Sequence, residues 1–529
     1  MAPNKPILFF DGDCGFCRRW IERWREITGN ALDYAPSEKP ESSVILIDVE
    51  GKTFRGAEAV FRSLALSPSH RWLSWTYYHL PGVKPVSEAL YRLIASHRRF
   101  FSSILRPSTY SNSYFFFLRG LGFVYLIAFA SLSVQILGLI GSNGILPTQA
   151  GISDSFLQFL CWGGVVSSAL ITFGVLPAFF LFLNWVFYLS LAHLCGPFLS
   201  FQWDTLLLET GFLAIFLVPQ SGVIRFLLKL LLFRLVFFSG FVKLAFGDPV
   251  WRNLTALQYY YETQPLPPWT AWYAHHWPAG FHAASCLFVF GVELIAPFLI
   301  FFPGRVRHIA ATLLISLQLL IISTGNYSFF NLLTLLLCLL LLEDSTWLKI
   351  VKAPKARDWP WPITSSVGVV IILMTFGSLH ILEPLKLVNR YGLFANMTTE
   401  RPEIILEGSE DGKNWLTYDF KYKVGDIQRK PVFVAPYQPR LDWQMWFAAL
   451  GNYRQNGWFI QLSGKILEGS TDVLRLLEKN PFPNRPPRYL RALVYDYHFT
   501  SPAERKETGA WWRRELKGLY CPVLERRSV

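Results

Sequence analysis

From Tyr114 to Leu382 the chain alternates long apolar runs with short polar or basic breaks. Crossing about 30 Å of hydrocarbon takes roughly 20 apolar residues at about 1.5 Å per residue. Runs of that kind fall at Tyr114–Ile140, Phe156–Phe173, Leu176–Leu194, Thr205–Val218, Val223–Leu244, Gly280–Phe302, His308–Thr324, Tyr327–Leu342 and Thr364–Leu382. They predict a polytopic α-helical membrane core of about nine spans over residues 106–383. The fourth and eighth are short enough to be re-entrant or tilted.

Outside this stretch the pattern changes. Lys5–Phe10 reads as a buried strand and Arg18–Ile27 as a helix, with Cys14-Gly15-Phe16-Cys17 between them. Val44–Val49 alternates as a second strand, while Ala57–Leu66, Trp72–His79 and Glu88–Phe101 have helical spacing. Strand, Cys-x-x-Cys, helix opens a thioredoxin-like α/β domain, placed at residues 1–105. After Glu383 apolar and polar residues alternate again. Glu403–Glu407 and Trp415–Phe420 flank Ser409-Glu410-Asp411-Gly412-Lys413, whose Asp-Gly step is a hairpin signal. From Val473 onward a helix, a Pro-rich linker and a Tyr-rich strand follow, giving a β-rich domain over residues 384–529.

Composition sharpens the picture. Of 529 residues 52% are hydrophobic and only 16% charged, below the quarter or so that soluble domains carry. The net charge of +13 sits largely in segments flanking the apolar runs and in the tail, which suits bilayer orientation and excludes a nucleic-acid stripe. Arg98, Arg99 and Arg106, then Arg225 and Lys229, then Arg305 and Arg307, then Lys349, Lys352, Lys355 and Arg357 share one side if the spans number nine. That side is cytoplasmic by the positive-inside rule and holds the N-terminal domain; Ala245–Ala279 and Glu383–Val529 lie opposite. Met1–Trp20 lacks the pattern of a cleavable signal peptide, so the first span is expected to direct insertion.

The seven cysteines are Cys14 and Cys17 as a pair, with Cys161, Cys195, Cys286, Cys338 and Cys521 scattered. The single ones read as small buried hydrophobes. In the pair, two thiols three positions apart at a helix start combine a depressed thiolate pKa with a resolving partner. A structural zinc would need a second ligand pair, which the sequence lacks. The strand ending in Asp11-x-Asp13 also suits a haloacid-dehalogenase phosphatase, but the downstream acidic pair for magnesium is missing. A redox-silent remnant is the remaining alternative.

Phe9-Phe10-Asp11-Gly12-Asp13-Cys14-Gly15-Phe16-Cys17, with Leu80-Pro81-Gly82 and Tyr91 further on, resembles the DCC family of thiol-disulfide oxidoreductases. The resemblance implies protein-disulfide reductase chemistry at Cys14 and Cys17 beside Asp11 and Asp13, with no cofactor or metal and an unidentified redox partner.

A second resemblance covers Tyr114 to Tyr497. It rests on Phe201-Gln202-Trp203-Asp204-Thr205-Leu206-Leu207-Leu208-Glu209, on Phe246-Gly247-Asp248-Pro249-Val250-Trp251, and on Tyr259-Tyr260-Tyr261-Glu262-Thr263-Gln264-Pro265-Leu266-Pro267. Asn389-Arg390-Tyr391-Gly392-Leu393-Phe394, Glu407-Gly408-Ser409 and Pro439-Arg440-Leu441-Asp442-Trp443-Gln444-Met445-Trp446-Phe447 add to it. These strings resemble the lipase maturation factor family. The resemblance implies a multi-pass membrane chaperone for client lipases or other secreted proteins. It would sit in the endoplasmic reticulum membrane of a eukaryote or the cytoplasmic membrane of a bacterium.

Asp204, Glu209, Lys243 and Glu293 lie in or at the ends of apolar runs, where a lone charge costs several kcal/mol and demands a partner or water. Arg119, Arg234 and Lys243 are the cations at hand, and structural pairing competes with a functional cavity. Lys243-Leu244 followed by Trp251 also resembles the vitamin K-dependent carboxylase superfamily, which implies the alternative of a membrane enzyme using Lys243 as base. Trp251, Trp443 and Trp446 are expected at the membrane face, as an exposed surface for partly folded clients. Asn253-x-Thr255, Asn326-x-Ser328 and Asn396-x-Thr398 are sequons on the expected outer side.

Overall fold

The computed structural model describes residues 3–37, 43–98, 110–148, 151–219, 221–346 and 359–526. Arg99, Arg106, Lys349, Lys352, Lys355 and Arg357 of the orienting basic set lie outside the described residues.

The N-terminal region has its own core. Strand β1 (Ile7–Phe10) feeds helix α1 (Gly15–Thr28), which returns the chain to β2 (Asp33–Pro36); β3 (Ile45–Ile47) and β4 (Thr53–Arg55) complete a sheet of order β2-β1-β3-β4. β1 and β2 run parallel while β3 and β4 are antiparallel, an arrangement in which α1 is the crossover. Helices α2 (Gly56–Leu64), α3 (Arg71–His79) and α4 (Val83–Ser96) follow. Leu8, Phe10, Ile21, Leu32, Leu46 and Ala59 close the core. β2 and β4 are as short as β1 and β3 but have no fully buried residue, so they lack the apolar run that revealed the other two.

The nine apolar runs each contain a helix: α5 (Ser111–Ser133), α6 (Asp154–Phe173), α7 (Pro177–Leu194), α8 (Gln202–Ile215), α9 (Gly222–Ala245), α10 (Ala279–Leu294), α11 (Arg305–Thr324), α12 (Phe330–Leu339) and α13 (Trp361–Thr375). Five are long and apolar enough to cross a bilayer: α5, α6, α7, α11, and α10 continued through Leu299. The other four differ for physical reasons. α9 is 24 residues long but carries Arg225, Lys229, Arg234 and Lys243. α8 and α12, with 14 and 10 residues, reach about 21 Å and 15 Å at about 1.5 Å per residue, and α13 is also short. Nearly every residue of α8 from Trp203 to Ile215 is buried in protein, so its apolarity serves the interior of the bundle.

One end of the bundle gathers basic residues. The N–H groups of Ser111 and Asn112 donate to the Asp344 carboxylate at 2.9 and 2.8 Å, and the Tyr110 ring lies under both Arg225 (4.0 Å) and Arg307 (5.5 Å). Arg307 in turn pairs with Glu343. The N-terminal domain packs at this end, α3 against α13. Its His70 is pushed down to about 4 by burial and then by the charges of Arg23 and Arg225.

At the far end of α5 the chain meets the C-terminal region. Ser470 Oγ donates to the Asn143 carbonyl at 2.7 Å, and a Cβ at Gly138 would lie 2.5 Å from the Asp472 carbonyl oxygen, so only glycine admits this approach. There β5 (Pro402–Ser409) and β6 (Leu416–Phe420) form the expected hairpin, with Gly412 at φ 71°. Helices α14 (Arg440–Ala449) and α15 (Gly457–Glu468) precede β7 (Leu477–Lys479), β8 (Tyr489–Phe499) and β9 (Trp512–Glu525), giving sheet order β7-β6-β5-β8-β9. The apolar core runs unbroken from Tyr114 in the bundle to Cys521 in β9.

Candidate functional site

β1 delivers Asp11 and the Cys pair to the start of α1. Cys14 is the N-cap, and its Sγ accepts from the Cys17 N–H at 3.4 Å. Asp11 holds the loop: Oδ1 accepts from the N–H groups of Asp13 (3.1 Å) and Cys14 (3.2 Å), and Oδ2 pairs with Arg98 at 3.0 Å. Both thiols are free and half-buried. For Cys14, burial works to raise the pKa, but the hydrogen bonds from the helix N–H groups and the Arg98 charge outweigh it, and the net shift is downward. Cys17 is pushed up to about 12, first by burial and then by its neighbour's sulfur. A nucleophilic thiol beside a protonated resolving thiol is the division of labour that disulfide exchange needs. Asp11 touches Cys14 through the backbone N–H and meets Arg98 through its other oxygen. Asp13 is exposed and joins the loop through its backbone N–H.

The four intramembrane polar residues all find partners. Lys243 Nζ lies 2.7 Å from Glu293 Oε2 and donates to the Ser239 carbonyl at 3.1 Å, which holds it in an ion pair. Glu209 pairs with Arg234 and accepts from Tyr391 Oη (2.8 Å) and from the Asn389 N–H (3.1 Å) and side-chain amide (3.2 Å). Asp204 is grasped by Arg440 through both terminal nitrogens at 3.1 Å, while Tyr188 Oη donates to it at 2.5 Å. Arg440 Nη1 also donates to the Phe198 carbonyl at 2.7 Å. Arg119, one of the three cations expected to serve, instead stacks on Phe115 at 3.5 Å.

Arg440, Asn389 and Tyr391 come from beyond the last apolar run, so the C-terminal region pairs the charge of Asp204 and adds hydrogen bonds to Glu209, while Arg234 and Lys243 within the bundle meet Glu209 and Glu293. The same is true in reverse. Arg401 donates to the carbonyls of Glu262 (2.6 Å), Gln264 and Pro265 (3.0 Å) and pairs with Glu403, which also meets Lys423. Asp248 Oδ2 accepts the Met397 N–H at 2.6 Å, and Glu262 Oε2 accepts the Phe499 N–H at 2.7 Å. The strings singled out in the sequence, Glu407-Gly408-Ser409 excepted, therefore meet in a largely desolvated seam. Asn389, Tyr391 and Arg440 were visible as members of those strings but not as partners of Asp204 and Glu209, since nothing in a sequence pairs residues about 180 to 236 positions apart.

The three tryptophans belong to this seam as well, which corrects their expected exposure. Trp251, Trp443 and Trp446 are 2%, 3% and 8% exposed. Trp251 Nε1 donates to the Phe394 carbonyl at 2.9 Å, Trp446 Nε1 to the Thr263 carbonyl at 3.1 Å, and Trp443 packs edge-on to Trp203 at 4.7 Å. Their aromatic area is used to weld two regions and is closed to an incoming chain. Asn326 is buried too. Its amide donates to the Leu266 and Val432 carbonyls and accepts from Val434 and Ala435, so this sequon is closed to modification, whereas Asn253 and Asn396 are exposed.

Comparison with known proteins agrees with both resemblances. The lipase maturation factor transmembrane domain matches residues 113–153 and 148–349, the lipase maturation factor C-terminal domain residues 387–522, and the DCC1-like thiol-disulfide oxidoreductase residues 8–103. Lipase maturation factor 2 of Rattus norvegicus is 33% identical over 580 residues, covering 77% of this chain and 82% of that protein. Lipase maturation factor 1 of Bos taurus is 32% identical over 511 residues, covering 80% and 91%. No solved structure matches the chain. An apolar helical bundle with five candidate spans marks an integral membrane protein. Matched along both family domains and similar to these relatives over most of their lengths, the chain belongs to the lipase maturation factor family.

Proposed function

We propose that this protein assists the folding or assembly of secreted lipases from within a membrane, and that its N-terminal domain adds thiol-disulfide exchange to that task. The observation that carries the reading is the extent of the similarity, 82% of one lipase maturation factor and 91% of another. The same seam residues lie inside the matched segments. The membrane is that of the endoplasmic reticulum in a eukaryotic host and the cytoplasmic membrane in a bacterial one. About nine membrane crossings, counting the short and charged helices, put the N-terminal domain (1–105) on the cytoplasmic side of the helical core (106–383). The C-terminal domain (384–529) then meets the client. Arg225 and Arg307 at the N-terminal end of the bundle support that orientation.

With the tryptophans buried, the client surface falls on β9, an edge strand with Leu516, Leu519 and Val523 exposed. An open strand edge offers backbone hydrogen bonds to an unfinished chain. In the N-terminal domain the Cys14 thiolate attacks a partner disulfide and releases one thiolate. Cys17 then attacks Cys14 and releases the second, so two electrons and two protons pass to the partner. An unidentified reductant restores the pair. Because the thiols and the client surface lie at opposite ends of the bundle, the exchange reaches the client only through a relay. The ion pair of Lys243 with Glu293 favours this reading over a membrane enzyme with Lys243 as base.

The test is co-expression with a secreted dimeric lipase in cells lacking their own maturation factor, reading secreted lipase activity. The intact chain restores secretion, and Leu516→Lys with Leu519→Lys abolishes most of it at unchanged membrane levels. Cys14→Ser reduces it less. Failure of the intact chain to raise secretion of any such lipase would sink the proposal.

A further inference from the structure

A cavity of about 460 Å³ lies in the half of the bundle nearest the C-terminal region, walled by α9, α10, α11 and α12. Trp251, Leu257, Phe394 and Met397 line it on the side of the C-terminal domain. Its mouth is lateral. Ala284, Phe288 and Leu320, on α10 and α11, line the cavity and are also exposed on the outer surface, and both helices are among those apolar enough to face lipid. A ligand entering between these exposed side chains of α10 and α11 would come from the bilayer.

The polar groups inside are few and balanced. The wall is otherwise largely aliphatic and aromatic, which fits the general make-up of small-molecule sites, a few convergent polar groups in an apolar pocket of roughly 300–1,000 Å³. Lys243 and Glu293 meet at 2.7 Å on one wall, and Asn331 Nδ2 donates to Gln318 Oε1 at 2.8 Å on another. The charge of the lysine is already matched by the glutamate. A third charge brought into this dry space would lack a partner and would pull one member of the pair from the other. The amides of Gln318 and Asn331 instead offer donors and acceptors suited to hydroxyls and ester carbonyls.

We propose that this cavity is a binding site for an uncharged acyl lipid, a glycerolipid such as diacylglycerol. One acyl chain lies along the apolar wall, and the glycerol hydroxyl and ester groups meet Gln318, Asn331 and the Lys243–Glu293 pair. The inference goes beyond the lipase-folding reading and does not depend on it.

The experiment uses the full-length protein in lipid nanodiscs of phosphatidylcholine with a diacylglycerol carrying a photoactivatable acyl chain, followed by peptide mapping of the adduct. Label concentrates on peptides of α10, α11 and α12 and is competed at least tenfold by unlabelled diacylglycerol, but not by a fatty-acid anion or phosphatidylserine. Ala284→Trp, which plugs the mouth, lowers cavity labelling at least tenfold while helicity and monodispersity are kept. Gln318→Leu lowers competition by diacylglycerol relative to a plain alkane. Label spread evenly over the lipid-facing helices overturns the site. Equal competition by the fatty-acid anion overturns the uncharged ligand, and displacement of the label by an apolar peptide alone makes the cavity a protein groove and overturns it as well. The competition arm needs no variant, so a misfolded Ala284→Trp chain leaves the test intact.

Discussion

The two polar clusters of this molecule differ in their access to water. At the Cys pair, Asp11 and Arg98 form a half-buried ion pair, 17% and 20% exposed, beside thiols that solvent can reach. In the seam, Asp204 and Arg440 are wholly buried, as are Arg401 and Glu403. Water weakens the first pair to a small contribution that tunes a neighbour, whereas the members of the second, once desolvated, have only protein groups to answer them. Access to water suits the first cluster to the proposed thiol chemistry and its exclusion suits the second to assembly, although both are built from the same residue types.

Breaking the dry cluster gives the largest effect. Arg440→Met leaves the Asp204 carboxylate buried and unpaired and should cost about 3–5 kcal/mol, read as a fall in the thermal midpoint of the detergent-solubilised chain. Asp204→Asn combined with Arg440→Met should recover a large part of that loss; equal instability of single and double variants would show that packing, not charge, governs the seam. Trp443→Ala tests the apolar half of the same junction. Removing a buried indole between Trp203 and Phe201 should cost about 3 kcal/mol or more, and a change under 1 kcal/mol would put the weld elsewhere.

Alkylation of Cys14 sharpens the contrast from the wet side. Its lowered pKa means that more of it is thiolate at neutral pH than an ordinary cysteine has, and its rate falls as pH drops through that lowered value. Cys17, held up to about 12, stays protonated and slow across the same range. Equal rates for the two thiols would remove the proposed division of labour. The smallest effect belongs to Asp11→Asn, which removes the carboxylate charge beside Arg98: stability changes by under about 1 kcal/mol. The readout is the Cys14 alkylation profile, whose midpoint moves; Cys17, which also feels the charges of Asp11 and Arg98, shifts downward with the loss of the carboxylate.

The order of elements was legible in the sequence. Among the described residues each of the nine apolar runs overlaps a helix, though the ends of three overrun it by seven or eight residues, and Asp411-Gly412 marked the β5–β6 turn, because periodicity and turn chemistry are local properties. Span number was less legible. Thr205–Val218 reads like a membrane segment, yet α8 owes its apolarity to burial among other helices, and one chain's composition does not distinguish protein from lipid as the surrounding apolar phase. The strand β9 was also missed, since its outer positions carry a mixture of charged and apolar residues without clean alternation.

By itself, the sequence determined the candidate residues and their local frame: a Cys-x-x-Cys at a helix start, acids inside apolar runs, and strings shared with a family. Only the tertiary structure decided their partners. Asp204 answers to Arg440, Glu209 to Tyr391 and Asn389, and the three tryptophans turn inward, because pairing of a buried charge and closure of an aromatic surface depend on which distant segments come together in space. Proximity of that kind leaves no mark on the spacing of residues along the chain.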